Sequence, residues 1–204
     1  MMKLHWSPRS PFVRKVMIVV HERGLVGRVA CVRTVAAMTK PHAELMKDNP
    51  LSKIPTLILD DGTVLYDSRV ICEYLDGLDG EARLFPREPK ARTTALRRQA
   101  LGDGFLDMMV ALRNERERAQ PSDIHMASTA VRKAAVLESL DREAESLATT
   151  PFGIGHIAIG CALSYLDFRF ADENWRKDHL RLANWHGAFA ARPSVRATEP
   201  IDDS

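Results

Sequence analysis

The hydrophobic period changes once along this chain, and that change divides it. Up to Leu75, short apolar runs bounded by Gly, Pro and Asp alternate with stretches whose apolar residues recur every three or four positions. Asp76-Gly77-Leu78-Asp79-Gly80 and Phe85-Pro86-Arg87-Glu88-Pro89 then form a polar, Gly/Pro-rich linker with a boundary near residue 82. Beyond it only the helical period continues. Leu101, Phe105, Met108 and Leu112 are spaced four, three and four, and Leu137, Leu140, Ala144 and Leu147 three, four and three. The pattern predicts an α/β domain over 1–80 and an all-helical domain over 86–204.

Within the first half, Met2-Lys3-Leu4-His5-Trp6 reads as a strand ended by the turn residues Ser7-Pro8-Arg9. Ser10-Pro11 then places a cap residue before a proline, and Phe12, Val13, Val16, Met17 and Val20 follow at helical spacing until Gly24. Residues 28–33 read as a second strand and 41–47 as a short helix. An apolar run from Ile54 to Leu59, with Pro55 near its start, turns at Asp60-Asp61-Gly62 into Thr63–Tyr66. Asp67 and Ser68 open the last helix of this half. The order is β-α-β-α-β-β-α. In the second half the stretch 154–168 is apolar nearly all round, which predicts a central helix wrapped by the others.

Charge and composition narrow the partners. Lys+Arg 29 against Asp+Glu 27 leaves a net charge of +2, too little for the field of a general nucleic-acid binder or a polybasic membrane anchor. The most apolar helical stretch, 152–166, falls short of the ~20 residues that cross a bilayer, and the first residues do not form a secretory signal. Cys31, Cys72 and Cys161 are odd in number and widely separated, so reduced thiols and a cytoplasmic location are expected. Each cysteine reads as packing. His156, His179 and His186 show no metal-ligand spacing, so no metal is expected.

Three motifs lie in a telling order: Ser10-Pro11-Phe12-Val13-Arg14-Lys15, then Asn49-Pro50-Leu51-Ser52-Lys53-Ile54-Pro55-Thr56-Leu57, then Asp67-Ser68. With the domain pattern around them, the chain resembles the glutathione S-transferase family. Ile157–Leu163 and Tyr165–Arg169 are similar to the central helix of its bacterial members. Arg196-Ala197-Thr198-Glu199-Pro200, together with the first motif, resembles the bacterial YibF-like group. The resemblance implies a thioredoxin-like first domain that binds glutathione as cosubstrate and a helical second domain. It also implies a homodimer.

The residues themselves allow two readings at each site. Ser10 is a helix cap worth ~1 kcal/mol; by resemblance it is the catalytic residue, directed at the glutathione sulfur. Lowering a thiol pKa by two units needs ~2.7 kcal/mol. A hydrogen bond to a charged group supplies about 1.5–3 kcal/mol and a helix N-terminus about 0.3–1, so a hydroxyl suffices. Ser7 and Arg9 are the alternative donors. Pro55 is either an ordinary proline at a strand edge or, as the resemblance implies, a cis proline that lets the Ile54 backbone pair with the cysteinyl backbone of glutathione. Asp67 and Ser68 are a capping pair; by resemblance they also hold the γ-glutamyl end. Lys40 and His42 are surface residues or contacts for the glycyl carboxylate.

A serine at position 10 cannot form a mixed disulfide, which disfavours glutaredoxin-type reduction and leaves conjugation, isomerisation or peroxidation. The first long helix of the second domain is expected to line an interdomain cleft. There Phe105, Met109 and Arg113 are either core or part of an acceptor pocket. Gly102 and Gly104 on it predict close backbone approach. Arg97 and Arg98 read as a solvated or dimer-facing surface. The central helix lacks the Ser/Thr-x-x-Asp capping box usual in the family: Gly153-Ile154-Gly155-His156 stands there, with His156 as the available polar substitute. The functional expectation is a transferase acting on a small, largely apolar electrophile. The alternatives on the same fold are a non-catalytic glutathione-binding or regulatory protein and a helical adaptor with a vestigial first domain.

Overall fold

The computed structural model describes residues 1–203, which form two compact units: Met1–Pro89 together with the C-terminal segment from Pro193, and Lys90–Arg192. In the first, β1 (Met2–Trp6) and α1 (Pro11–Glu22) are followed by β2 (Val29–Arg33), α2 (Ala43–Asp48), β3 (Thr56–Ile58), β4 (Val64–Leu65) and α3 (Ser68–Gly77). This is the β-α-β-α-β-β-α order expected. The sheet runs β2-β1-β3-β4, with β1 and β2 parallel and the remaining pairs antiparallel. The parallel pair requires a crossover, which α1 supplies. Leu4 lies opposite Leu57, and both are fully buried with Val16, Ile18, Val19, Ile71 and Leu75 of α1 and α3.

The hairpin between β3 and β4 forms at the Asp-Asp-Gly turn. Gly62 adopts φ +87°, a conformation that L side chains resist, and the Asp61 carboxylate accepts from the Thr63 amide at 2.9 Å. His5 ties β1 to its surroundings: its ring nitrogens lie 2.8 Å from Thr34 Oγ1 and 3.0 Å from Asp48 Oδ2.

Two assignments from sequence are corrected in this unit. The Gly/Pro-rich segment is not a free linker. The fully buried Asp76 carboxylate accepts backbone amides of Arg83, Leu84 and Phe85 at 2.9–3.1 Å and pairs with Arg23 at 3.3 Å, so Leu84 and Phe85 become core of the first unit. The residues from Pro193 onward, expected to close the helical domain, return to the first unit. Arg14 donates to the Val195 carbonyl at 3.3 Å, and the Ser194 hydroxyl bonds Glu22 across α1 and α8 (Pro193–Arg196).

The second unit contains α4 (Pro89–Arg116, helical from the boundary onward), α5 (Asp123–Thr149), α6 (Ile154–Arg169) and α7 (Leu180–Ala190). Every residue of α6 from Ile154 to Leu166 is buried, as its all-round apolarity predicts. A side chain at Gly102 would put its Cβ 2.6 Å from the Ala158 backbone, so α4 meets α6 at glycine; Gly104 faces open space and has no such duty. Arg98, expected on the surface, is 4% exposed. Its guanidinium donates to Ser146 Oγ at 2.8 Å, Thr150 Oγ1 at 3.0 Å and Glu143 at 3.3 Å, crossing from α4 to α5. Three hydrogen-bond partners, one charged, offset the cost of burying its charge. No helix among the described residues is long and apolar enough to cross a membrane.

His156 replaces the missing capping acid. Its Nδ1 accepts the Gly153 amide at 3.1 Å, so its Nε2 carries the proton and donates to the Leu147 carbonyl at 3.1 Å. Glycine offers no side chain in return, so only half of a capping box is present. Burial holds the His156 pKa below its ordinary 6.5.

That depression fixes the sign of a pH effect. The unfolded chain takes up the proton first, so this stability is complete above about pH 6.5 and is lost as pH falls through the lower folded value. Urea unfolding of wild type and His156→Gln should therefore give a stability difference that shrinks on acidification; a difference independent of pH would contradict the buried neutral tautomer. Asp76→Ala should cost about 3–5 kcal/mol, because the Arg23 charge stays buried without its partner.

Candidate functional site

The carboxyl ends of β1 and β2 stop together, with Trp6 opposite Arg33. In α/β sheets the crevice beyond the carboxyl ends of parallel strands is where ligands sit. Ser7, Pro8, Arg9 and Ser10 leave β1 there. The Ser10 amide donates to the Ser7 carbonyl at 3.2 Å, closing the loop, and Ser10 becomes the cap of α1. Its Oγ accepts the Val13 amide at 3.3 Å. A hydroxyl has one proton and two lone pairs, so this bond leaves the proton to donate elsewhere. The cap and donor roles read from sequence are thus compatible in one side chain.

Of the alternative donors, only Arg9 is committed elsewhere; the Ser7 hydroxyl, like that of Ser10, accepts one backbone amide and keeps its proton. Ser7 is 6% exposed and its Oγ accepts the Arg9 amide at 3.4 Å; the Arg9 guanidinium pairs with Asp202 and Asp203.

The second motif forms a tight loop before β3. The Ile54–Pro55 bond is cis, as the resemblance implied, and so is Tyr66–Asp67, which nothing in the sequence announced. The residue that builds the loop is Asn49, which sequence reasoning left without a role. Its side chain is almost fully buried, donating to the Lys53 carbonyl at 3.1 Å and Thr56 Oγ1 at 2.9 Å while accepting the Leu51 amide at 3.0 Å. The signal was its place at a helix end before proline, where an amide can hold a turn. Ser52, at φ +51°, accepts the His42 amide at 2.8 Å, and His42 Nδ1 accepts the Leu45 amide at 3.1 Å, so that histidine caps α2. Lys40 is exposed in the turn that precedes it.

Asp67 caps α3, accepting the Arg69 amide at 2.9 Å, and Ser68, the first helical residue, is 2% exposed. Ser10, Ile54, Pro55, Asp67, Ser68 and Lys40 thus all belong to the first unit. The residues expected at an acceptor pocket fare differently. Phe105 and Met109 are 2% and 0% exposed, so they are core and not the walls of an open pocket, as their helical spacing equally allowed. Arg113 is half-buried and donates to Asn114 Oδ1 at 2.7 Å.

Among the other groups singled out, Cys72 and Cys161 are buried as expected, but Cys31 is exposed because β2 is an edge strand. Partial desolvation still raises its thiol pKa. His186 is structural: it bridges Ser164 Oγ at 3.0 Å and Arg176 at 2.9 Å. No group of three or more potential metal ligands occurs among the described residues.

Comparison with known proteins agrees with this geometry. The sequence profile of the glutathione S-transferase N-terminal domain matches residues 9–78. A glutathione transferase family member from Pseudomonas fluorescens Pf-5, solved with bound glutathione, is 41% identical over 98% of this chain and 100% of its own, with TM-score 0.94. The chain belongs to the glutathione S-transferase family. The same Pseudomonas protein has also been solved with S-(propanoic acid)-glutathione, and a glutathione S-transferase from Methylobacillus flagellatus with glutathione bound is 32% identical at TM-score 0.86. YibF of Escherichia coli, described as an uncharacterised GST-like protein, is 29% identical over 98% of both chains.

Replacing Asn49 by Ala takes the acceptor from the Leu51 amide and one donor each from the Lys53 carbonyl and Thr56 Oγ1, which still bond each other, and should cost about 1–3 kcal/mol. Hydrogen exchange of the Leu51 amide should accelerate more than exchange in α6. Equal, unchanged protection at both places would show that the loop holds without this side chain.

Proposed function

We propose that this member of the family is a glutathione transferase: it binds glutathione at the first unit, stabilises the cysteinyl sulfur as a thiolate through Ser10, and directs it at a small, largely apolar electrophile. The observation that carries the proposal is the Ser10 cap, whose Oγ accepts from Val13 and so keeps a proton to donate at the positive N-terminal end of α1. Ile54 and Pro55 face the cysteinyl backbone, Asp67 and Ser68 receive the γ-glutamyl end at the start of α3, and Lys40 attracts the glycyl carboxylate.

In the reaction the thiol loses its proton to solvent. The sulfur then forms a bond to an electrophilic carbon, and the electron pair displaced there leaves with a leaving group or moves along an activated double bond, to be protonated by water. No further co-reactant is consumed. The thioether bound by the Pseudomonas relative supports conjugation over disulfide chemistry, because a thioether is what sulfur attack on carbon leaves behind. The chain is read as cytoplasmic and as a homodimer; exposed Ile124 and Val131, 85% and 72% accessible and seven residues apart on α5, offer apolar surface for a second copy. A monomer mass by light scattering would refute the dimer.

Ser10→Ala should lower the rate with a general electrophile such as 1-chloro-2,4-dinitrobenzene about 10–100-fold at neutral pH, following the loss of one or two units of thiol acidification. Affinity for glutathione should change little. Ser68→Ala should do the reverse, weakening affinity by roughly 1–3 kcal/mol while sparing turnover at saturation. Full activity in Ser10→Ala would remove that hydroxyl from the reaction.

A further inference from the structure

Two arginines and one carboxylate meet beyond the ends of β1 and β2, one of the arginines adjoining Ser10 in the chain. Arg9, the residue before Ser10, directs its Nε to Asp203 Oδ1 at 3.2 Å. Arg33, the last residue of β2, directs its Nε and Nη2 to Asp203 Oδ2 at 2.8 and 2.7 Å. Each oxygen of one carboxylate is thus held by a different guanidinium, with Asp202 adding a longer contact to Arg9 at 3.6 Å. Guanidiniums brought this close repel one another unless an anion lies between them, and their planar fork fits a carboxylate. Arg33 is also fixed from behind by the Thr34 carbonyl, to which Nη1 donates at 3.3 Å.

No regular structure spans 199–203, and Ile201 is 63% exposed, so the tail rests on the sheet through its carboxylates. The clamp itself is built on the framework: Arg33 ends a strand in register with β1, and Arg9 lies in the loop closed by the Ser10–Ser7 hydrogen bond. Arg9 and Ser10 are consecutive residues of that loop, so the clamp and the Ser10 hydroxyl share one support.

We propose that Arg9 and Arg33 form a carboxylate-recognition site for the acceptor, and that Asp203 occupies it at rest as an intramolecular competitor. The inference rests on the transferase reading and adds a substrate class: electrophiles bearing a carboxylate a few bonds from the reacting carbon. The two guanidiniums then select, because a neutral electrophile gains nothing from them while an acidic one displaces Asp203 and takes over both. A tethered competitor acts at high effective concentration, so it raises the threshold for acidic acceptors.

The test uses two thioethers that differ in one group, S-(2-carboxyethyl)glutathione and its carboxamide, with glutathione itself as reference, in calorimetric titration of the full chain. Wild type should prefer the acid. Asp202→Asn/Asp203→Asn should tighten the acid about tenfold or more and leave the amide unchanged, and Arg33→Gln should abolish the preference while binding glutathione normally. Circular dichroism checks that these exposed substitutions leave the fold intact. Equal binding of acid and amide by wild type would overturn the clamp yet leave the thiolate reading standing. Weakening of glutathione itself by Arg33→Gln would also overturn it, by assigning the clamp to glutathione's own carboxylate. Failure of all three molecules to bind would sink the transferase reading and this inference with it.

Discussion

The first turn of α1 has backbone N–H groups with no partner inside the helix, and the chain places that turn just beyond the carboxyl end of β1. Ser10 satisfies one of them, the Val13 amide. Much of the first unit serves to hold that arrangement in place. The parallel pairing of β1 and β2 fixes where the loop begins. The apolar face of α1, buried from Val13 to Val20, fixes the direction of its axis, and Arg14 anchors it to the returning C-terminal segment. A side chain positioned this firmly spends little entropy when it meets a ligand, which is why a single neutral hydroxyl can matter.

Much of this was legible in the sequence because the signals are local. Ser10-Pro11 is a cap followed by the one residue that suits the first helical position, and Asp60-Asp61-Gly62 specifies a turn that the following strand obeys. The all-round apolarity of 154–168 could only mean burial. The parts that were not legible are made by partners distant in sequence. Nothing near Asp76 announces that its carboxylate gathers the amides of residues 83–85, and nothing near Arg98 announces Ser146, Thr150 and Glu143. Arginine in a charge-rich helix reads as solvated until the helix that covers it is known.

The candidate site divides the same way. Ser10, Pro55 and Asp67-Ser68 stood out because each combines a local backbone requirement with a family pattern. Asn49 did not, because its work is done by a side-chain amide reaching Lys53 and Thr56. Phe105 and Met109 show the opposite limit: helical spacing marks a residue as inward-facing and cannot distinguish a pocket wall from core. The second unit also shows how a lost motif is replaced. His156 supplies the acceptor that an acidic residue would have supplied, and Asp141 of α5 accepts the Leu182 amide at 2.9 Å to secure the start of α7, whose own cap residue makes no such bond.

The central claim is that glutathione bound to this chain is held as a thiolate by the Ser10 hydroxyl. Ultraviolet difference titration of the bound thiol measures that state without any acceptor present. The account predicts ionisation well below that of free glutathione in wild type, and a curve displaced upward by about one to two pH units in Ser10→Ala. Superimposable curves for the two proteins, or a wild-type curve that coincides with free glutathione, would contradict it.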